Sequence, residues 1–251
     1  MESQNSMQNK KTRWLFLINR PETMTLGLLI LALIGASLLS EFFLDINYIL
    51  RSFTLTAELS IAALVLTMVI ISGEIDLSAA ANIALSACIF AYAQANGAPM
   101  SVAIIIGLFA GFVMGSLNAV LVIIYQLPSI IVTIGTLIFF RGLAQVIAGD
   151  KSIRVPEWFI GINTQMLLGI PYPVLIFTVT AILLGLILSS TIYGRQIYQI
   201  GTNNTAALHA GIKTNRIKFF LFVLLGIVSA ACGIMAASRL GSVRYDLALG
   251  G

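Results

Sequence analysis

The sequence has little charge: Asp, Glu, Lys and Arg make up 10% of its 251 residues, against ~25% in a soluble domain. That shortage excludes an ordinary water-soluble enzyme, and it excludes a disordered chain, which combines high charge with low hydrophobicity. Histidine is scarcer still. The single His209 rules out a His-x-x-x-His zinc site, and no metal site can be assembled. Two cysteines, Cys88 and Cys232, both inside apolar runs, give neither a Cys-x-x-Cys pair nor a disulfide framework. There is no Gly-Lys dipeptide, so there is no phosphate-binding P-loop, and there is no Gly-x-Ser-x-Gly nucleophile elbow. No catalytic residue, metal or cofactor is expected. Energised work must then draw on a partner or an ion gradient.

What the sequence does have is apolar length. Hydrophobic residues reach 59% and the mean hydropathy is +0.99. A bilayer core ~30 Å thick needs ~20 mostly apolar residues per helix, and seven runs qualify: roughly 22–40, 55–72, 77–94, 102–124, 128–148, 171–190 and 217–237. They are apolar throughout and do not alternate as barrel strands do. The expected fold is an all-α integral membrane protein, a polytopic helical bundle. A short N-terminal segment, 1–21, precedes a single transmembrane domain, 22–251. The first run follows Lys10, Lys11, Arg13 and Arg20 but is too long for a signal peptide, so it reads as an uncleaved span. The chain stops at Leu249-Gly250-Gly251 directly after a span, which reads as an interrupted C-terminus.

Alternating the spans from a cytoplasmic N-terminus puts Lys10, Lys11, Arg13, Arg20, Arg195, Lys213, Arg216 and Lys218 inside, and Arg51, Lys151, Arg154, Arg239 and Arg244 outside. This agrees with the positive-inside rule. The pI near 9.2 therefore reflects membrane orientation and not nucleic-acid binding. Trp14 and Trp158 suit the two interfacial belts.

Charges within apolar runs are the default functional candidates in a membrane protein. Four stand out: Glu58, Glu74, Asp76 and Arg141. Arg141 near a span end reads as a snorkelling anchor, and Glu58 as solvated at an interface. Glu74 and Asp76, two apart, point to opposite sides of a regular helix and cannot form a paired-carboxylate site there. Gly73 permits unwinding, and Asp76 before Leu77-Ser78 is placed to N-cap the next helix. Two readings stay open. The segment 72–78 is either an ordinary turn or the break of a discontinuous helix whose freed backbone lines a translocation path. Gly107, Gly111 and Gly115, followed by Ala119, form a small-residue stripe for close helix packing. Asn118 beside it reads as an interhelical hydrogen bonder or a path-lining group.

The connection 191–216 is long for a polytopic bundle, and loops of that length are usually functional. Asn203 or Asn204 is placed to cap a short helix through Ala206–Ala210, with Gly211 as its stop. His209 would be an exposed residue of that helix.

Three blocks resemble one family. The run Thr67-Met68-Val69-Ile70-Ile71-Ser72-Gly73-Glu74-Ile75-Asp76-Leu77-Ser78 resembles the Gly-Gly-Ile-Asp-Leu-Ser signature of ribose-type and autoinducer-2-type ABC transporter permeases. Pro128-Ser129-Ile130-Ile131-Val132-Thr133-Ile134-Gly135-Thr136-Leu137 with Arg141-Gly142 is similar to a second family block. Gly194-Arg195 through Gly201, with Asn203, Ala206-Ala207 and Gly211-Ile212, is similar to a third. The resemblance implies a permease subunit of a bacterial importer for a pentose, hexose, deoxyhexose or autoinducer-2. Its segment 191–216 would dock into a separate ATPase through Gly194, Arg195, Gly201, Asn203, Ala206, Ala207 and Gly211. Glu74, Asp76, Ser78, Asn118 and Thr133 would then lie near the path.

Three departures stand out: Glu74 replaces a glycine of the signature, Ala79-Ala80-Ala81 stands where Val-Gly-Ser is common, and Thr205 replaces the acid of the coupling pattern. The implied partners are ATP-binding subunits, a second permease subunit (the same or different), an extracytoplasmic solute-binding protein and the lipid bilayer of the bacterial cytoplasmic membrane, with no nucleic acid. The rivals are an ion-coupled carrier using Glu74 or Asp76 and a non-functional truncated permease.

Overall fold

A computed structural model describes residues 21–149, 151–161 and 165–248, and most of them are helical. The helices are α1 (Pro21–Leu39), α2 (Ile46–Thr54), α3 (Ala57–Ile71), α4 (Ala79–Ala95), α5 (Met100–Ala119), α6 (Ser129–Ala148), α7 (Tyr172–Ser190), α8 (Ile192–Thr202), α9 (Asn204–His209) and α10 (Thr214–Leu240). A π-helical turn, Val120–Ile124, continues α5. The basic N-terminal residues and the chain end at 249–251 lie outside the described residues.

Each of the seven expected spans is helical. Among the described residues, four helices are long and apolar enough to cross a membrane: α5 with its π turn, α6, α7 and α10. Counting α2 and α3 as one broken span makes five, and α1 and α4 are shorter apolar helices. The protein is a polytopic helical membrane protein. Two small ladders qualify the all-helical expectation: β1 (Ile153–Arg154) pairs antiparallel with β4 (Ser242–Val243), and β2 (Met166–Leu167) with β3 (Ile170–Pro171). Leu168 and Gly169 between β2 and β3 both have positive φ, as a tight two-residue hairpin turn requires.

The chain divides into two compact units, one ending at Ser52 and the other starting at Phe53. In the first, α1 exposes Leu28, Leu31, Leu38 and Leu39, an apolar surface suited to lipid. Asp45 Oδ1 accepts the Asn47 N–H at 2.8 Å, closing an Asx turn at the start of α2.

The second unit is built around α10. Its Leu221, Phe222, Leu225, Ala230, Cys232 and Ala237 are buried, and at 27 residues it is ~40 Å long. Lipid tails are as apolar as leucine, so packing in a bilayer depends on close approach, which small residues permit. The glycine stripe of α5 lies on α10. A Cβ at Gly111 would strike Ala230 and the Gly226 carbonyl, and one at Gly115 would come within 2.6 Å of the Phe222 carbonyl oxygen. One at Gly107 would reach 3.0 Å from Phe90 Cβ. By contrast α7 turns Val179, Ile182, Leu183 and Leu186 outward.

Two expectations about charge are corrected. Glu58 is not solvated: it is 3% exposed, and its Oε1 accepts from Arg239 Nε at 2.9 Å, tying the start of α3 to the end of α10. Arg141 is more than a snorkelling anchor. Its Nη1 donates to the carbonyls of Tyr245 and Leu247, both at 2.7 Å, clamping the segment after β4. In each case a charge in or beside an apolar helix is bonded by other protein groups.

Candidate functional site

The break between α3 and α4 is the first component of the site. Ser72 closes α3, with its Oγ donating to the Val69 carbonyl at 2.7 Å, and Gly73 turns the chain at φ +85°. Residues 74–78 then run without helix back into the bundle. Side chains of α6 bond the Ile75 backbone: Ser129 Oγ accepts its N–H at 3.2 Å, and Thr133 Oγ1 donates to its carbonyl at 3.2 Å. In a membrane interior such side-chain bonds are what make non-helical backbone tolerable.

Asp76 does its work two residues from where a simple cap would put it. The N-cap position of α4 is Ser78. Asp76 Oδ1 accepts both the Ser78 N–H at 2.7 Å and the Ser78 hydroxyl at 2.6 Å. Asn118 Nδ2 on α5 donates to the same Ser78 Oγ at 2.8 Å. Asp76, Ser78 and Asn118, all at most 4% exposed, thus form one buried hydrogen-bonded cluster, and buried Thr133 reaches the neighbouring Ile75 carbonyl. Asn118 Oδ1 is buried there with no hydrogen-bond partner. Glu74, the fifth expected path residue, points elsewhere: its Oε1 lies 2.6 Å from Lys218 Nζ on α10. Lys218 was missed as a partner because its 144-residue separation from Glu74 hides the pairing. A lysine at the start of an apolar run was the available signal. No cluster of three or more His, Cys, Asp or Glu exists among the described residues. The arrangement can orient α4 and hydrogen-bond neutral polar groups, but it holds no nucleophile poised for covalent chemistry.

The second component is the segment 191–216. It contains one more helix than its sequence disclosed. Thr191 Oγ1 accepts the Gly194 N–H at 3.1 Å, starting α8, and buried Ile197 and Ile200 give α8 an apolar face. Their three-residue spacing after Gly194 was the legible sign. Asn203 Oδ1 accepts the Ala206 N–H at 3.0 Å and caps α9, which runs Asn204–His209. Gly211 follows at φ +82°. Arg195, Ala206, Leu208 and His209 are exposed, while Ala207 is buried.

The two components touch. Gly201 near the end of α8 sits on the Ile71 carbonyl so closely that a Cβ there would collide with it, and a Cβ on Gly73 would lie 3.8 Å from Gly201 Cα. Gly194 is likewise pressed onto the Ile187 and Leu188 carbonyls. Glycine at 194 and 201 thus seats α8 on the ends of α7 and α3, directly beside the break.

A model of the family described as "Branched-chain amino acid transport system / permease component" matches residues 48–250. The chain belongs to that family. It is 32% identical over 228 residues to the "Autoinducer 2 import system permease protein LsrD" of Escherichia coli K12, covering 88% of this chain and 69% of that protein. The protein of the same name from Yersinia enterocolitica is 34% identical over 211 residues, 81% of this chain and 64% of its own length. The Shigella flexneri protein of that name is 32% identical over 228 residues. No solved structure matches the chain. Family membership makes it a multi-pass membrane permease component of an ABC transporter and not an enzyme. Such permeases work with ATPase and binding-protein partners, which sets aside the ion-coupled carrier.

Proposed function

We propose that this permease translocates a sugar or sugar-like solute inward across the bacterial cytoplasmic membrane, with autoinducer-2, pentoses, hexoses and deoxyhexoses as the candidate class. ATP hydrolysis on separate subunits drives the cycle. The N-terminus and segment 191–216 face the cytoplasm, where α8 and α9 dock on the ATPase. A second permease subunit, the same or different, completes the path, and an extracytoplasmic binding protein delivers the solute. The observation that carries this reading is the seating of Gly201 on the Ile71 carbonyl. It joins the docking segment to the break between α3 and α4, which is lined with buried hydroxyl, amide and carboxylate groups. A neutral polyhydroxylated solute suits such groups, since Glu74 and Lys218 are committed to each other and the Asp76 carboxylate is bonded to Ser78.

Movement of α8 by a docked ATPase would pass to Ile71 and Gly73, and from them to the start of α4, which Asp76 and Asn118 hold. The test is co-purification of the wild-type chain with its cognate ATPase, compared with Ala206→Glu and Leu208→Glu, two exposed positions on α9. Retention by wild type and loss in both variants, with unchanged membrane insertion, supports the docking role. Equal retention in all three removes it.

A further inference from the structure

Between α3, α7, α8 and α10 lies a groove of about 760 Å³ beside the docking segment, whose apolar wall the transport reading does not use. Its walls are apolar: Leu184 and Ile187 of α7, Met68 of α3, and Phe220 and Leu224 of α10. Lys213 and Arg216 line the end beside α8, both exposed. Neither is in an ion pair among the described residues, and the sequence has no Asp or Glu between Glu157 and Asp246 that could neutralise them. The Arg216 guanidinium lies 5.8 Å from the centre of the Phe220 ring, so the cation is held at the boundary of the apolar wall.

We propose that this groove binds one acidic phospholipid, with an acyl chain along the apolar wall and the anionic headgroup on Lys213 and Arg216. The charge arrangement selects the occupant. An apolar slot alone would take any lipid tail or a neighbouring helix, but two unneutralised cations at its polar end require a negative headgroup, as in basic pockets between transmembrane helices on the cytoplasmic side. The inference rests on the orientation proposed above, which puts this end of α10 at the cytoplasmic leaflet. Each basic side chain near an anionic headgroup supplies a similar increment of attraction. Together they give about a thirtyfold preference for an anionic over a zwitterionic lipid.

The test uses the whole chain in nanodiscs of equal palmitoyl-oleoyl phosphatidylglycerol and phosphatidylcholine, released into native mass spectrometry. Wild type should retain one phosphatidylglycerol per chain. Lys213→Gln with Arg216→Gln should lose the headgroup preference by about thirtyfold, and Leu184→Trp should expel lipid of either kind with the charges intact. Equal retention of the two lipids by wild type overturns the proposal, as does phosphatidylglycerol held unchanged in both variants. Displacement by millimolar inorganic phosphate would reduce the site to an anion site and overturn the lipid assignment. A lipid-free dimer would assign the groove to a second copy. ATPase association is read from the same preparations. Association without selective lipid sinks this inference alone, and selective lipid without association sinks the transport reading alone.

Discussion

Helices α3 and α10 are clasped at both ends by ion pairs, and the two ends are built differently. At one end Glu58 and Arg239 join helix to helix, and the surroundings are cross-braced. The Ser238 hydroxyl donates to the Phe159 carbonyl at 2.7 Å, the Gly161 N–H to the Ser238 carbonyl at 3.0 Å, and β1 pairs with β4. At the other end Glu74 has already left α3, so the bond to Lys218 holds a stretch of non-helical chain. That stretch is kept in place by single side-chain bonds from α5 and α6 and by the bare contact of Gly201. The first end is braced by backbone bonds and a strand pair, whereas the end beside the break rests on side-chain bonds to non-helical chain. The same pair chemistry thus joins helix to helix in one place and helix to non-helical chain in the other.

The sharpest way to break this comparison is to remove one carboxylate from each clasp. Glu58→Ala leaves the largely buried Arg239 without its carboxylate and should cost about 3–5 kcal/mol, read as a lowered unfolding midpoint in detergent. Glu74→Ala should cost less, about 1–3 kcal/mol, because Glu74 lies on non-helical chain that can yield around Lys218, whereas Glu58 and Arg239 are held between two helices. Equal losses would erase the distinction between the ends. Gly201→Ala forces a methyl group onto the Ile71 carbonyl and should destabilise by about 1–3 kcal/mol, whereas Gly185→Ala, which has open space around it, should be neutral by the same assay. Smallest is Asp76→Ala, which removes the acceptor for two Ser78 donors and should cost about 0.5–2 kcal/mol. Asp76→Asn, which keeps an acceptor oxygen, should recover most of that.

The membrane class and the placing of all seven apolar runs on helices were legible because bilayer thickness imposes a length on hydrophobic sequence that nothing else in a protein imposes. Local caps were legible too: Asn203 heads α9 as its position before Ala206-Ala207 suggested. Long-range pairing was not. Glu58 and Arg239 stand 181 residues apart, and nothing local tells a buried paired glutamate from a solvated one. Arg141 reads as an anchor until the carbonyls of Tyr245 and Leu247 are in place. Asp76 was legible as a helix-start residue, but its two-residue offset to Ser78 follows from the turn at Gly73 and the hydroxyls of Ser129 and Thr133, which only the tertiary fold brings together. The contact between Gly201 and Ile71 was similarly invisible, since a glycine needed for close approach looks the same in sequence as one needed for a turn.

The most direct measurement is substrate-stimulated ATP hydrolysis in a reconstituted complex of permease, ATPase and binding protein, comparing wild type with Gly201→Ala. The account predicts that the variant loses most of the stimulation relative to its own basal hydrolysis, because α8 can no longer seat on the end of α3. Full stimulation in that variant would contradict the link between segment 191–216 and the 72–78 break.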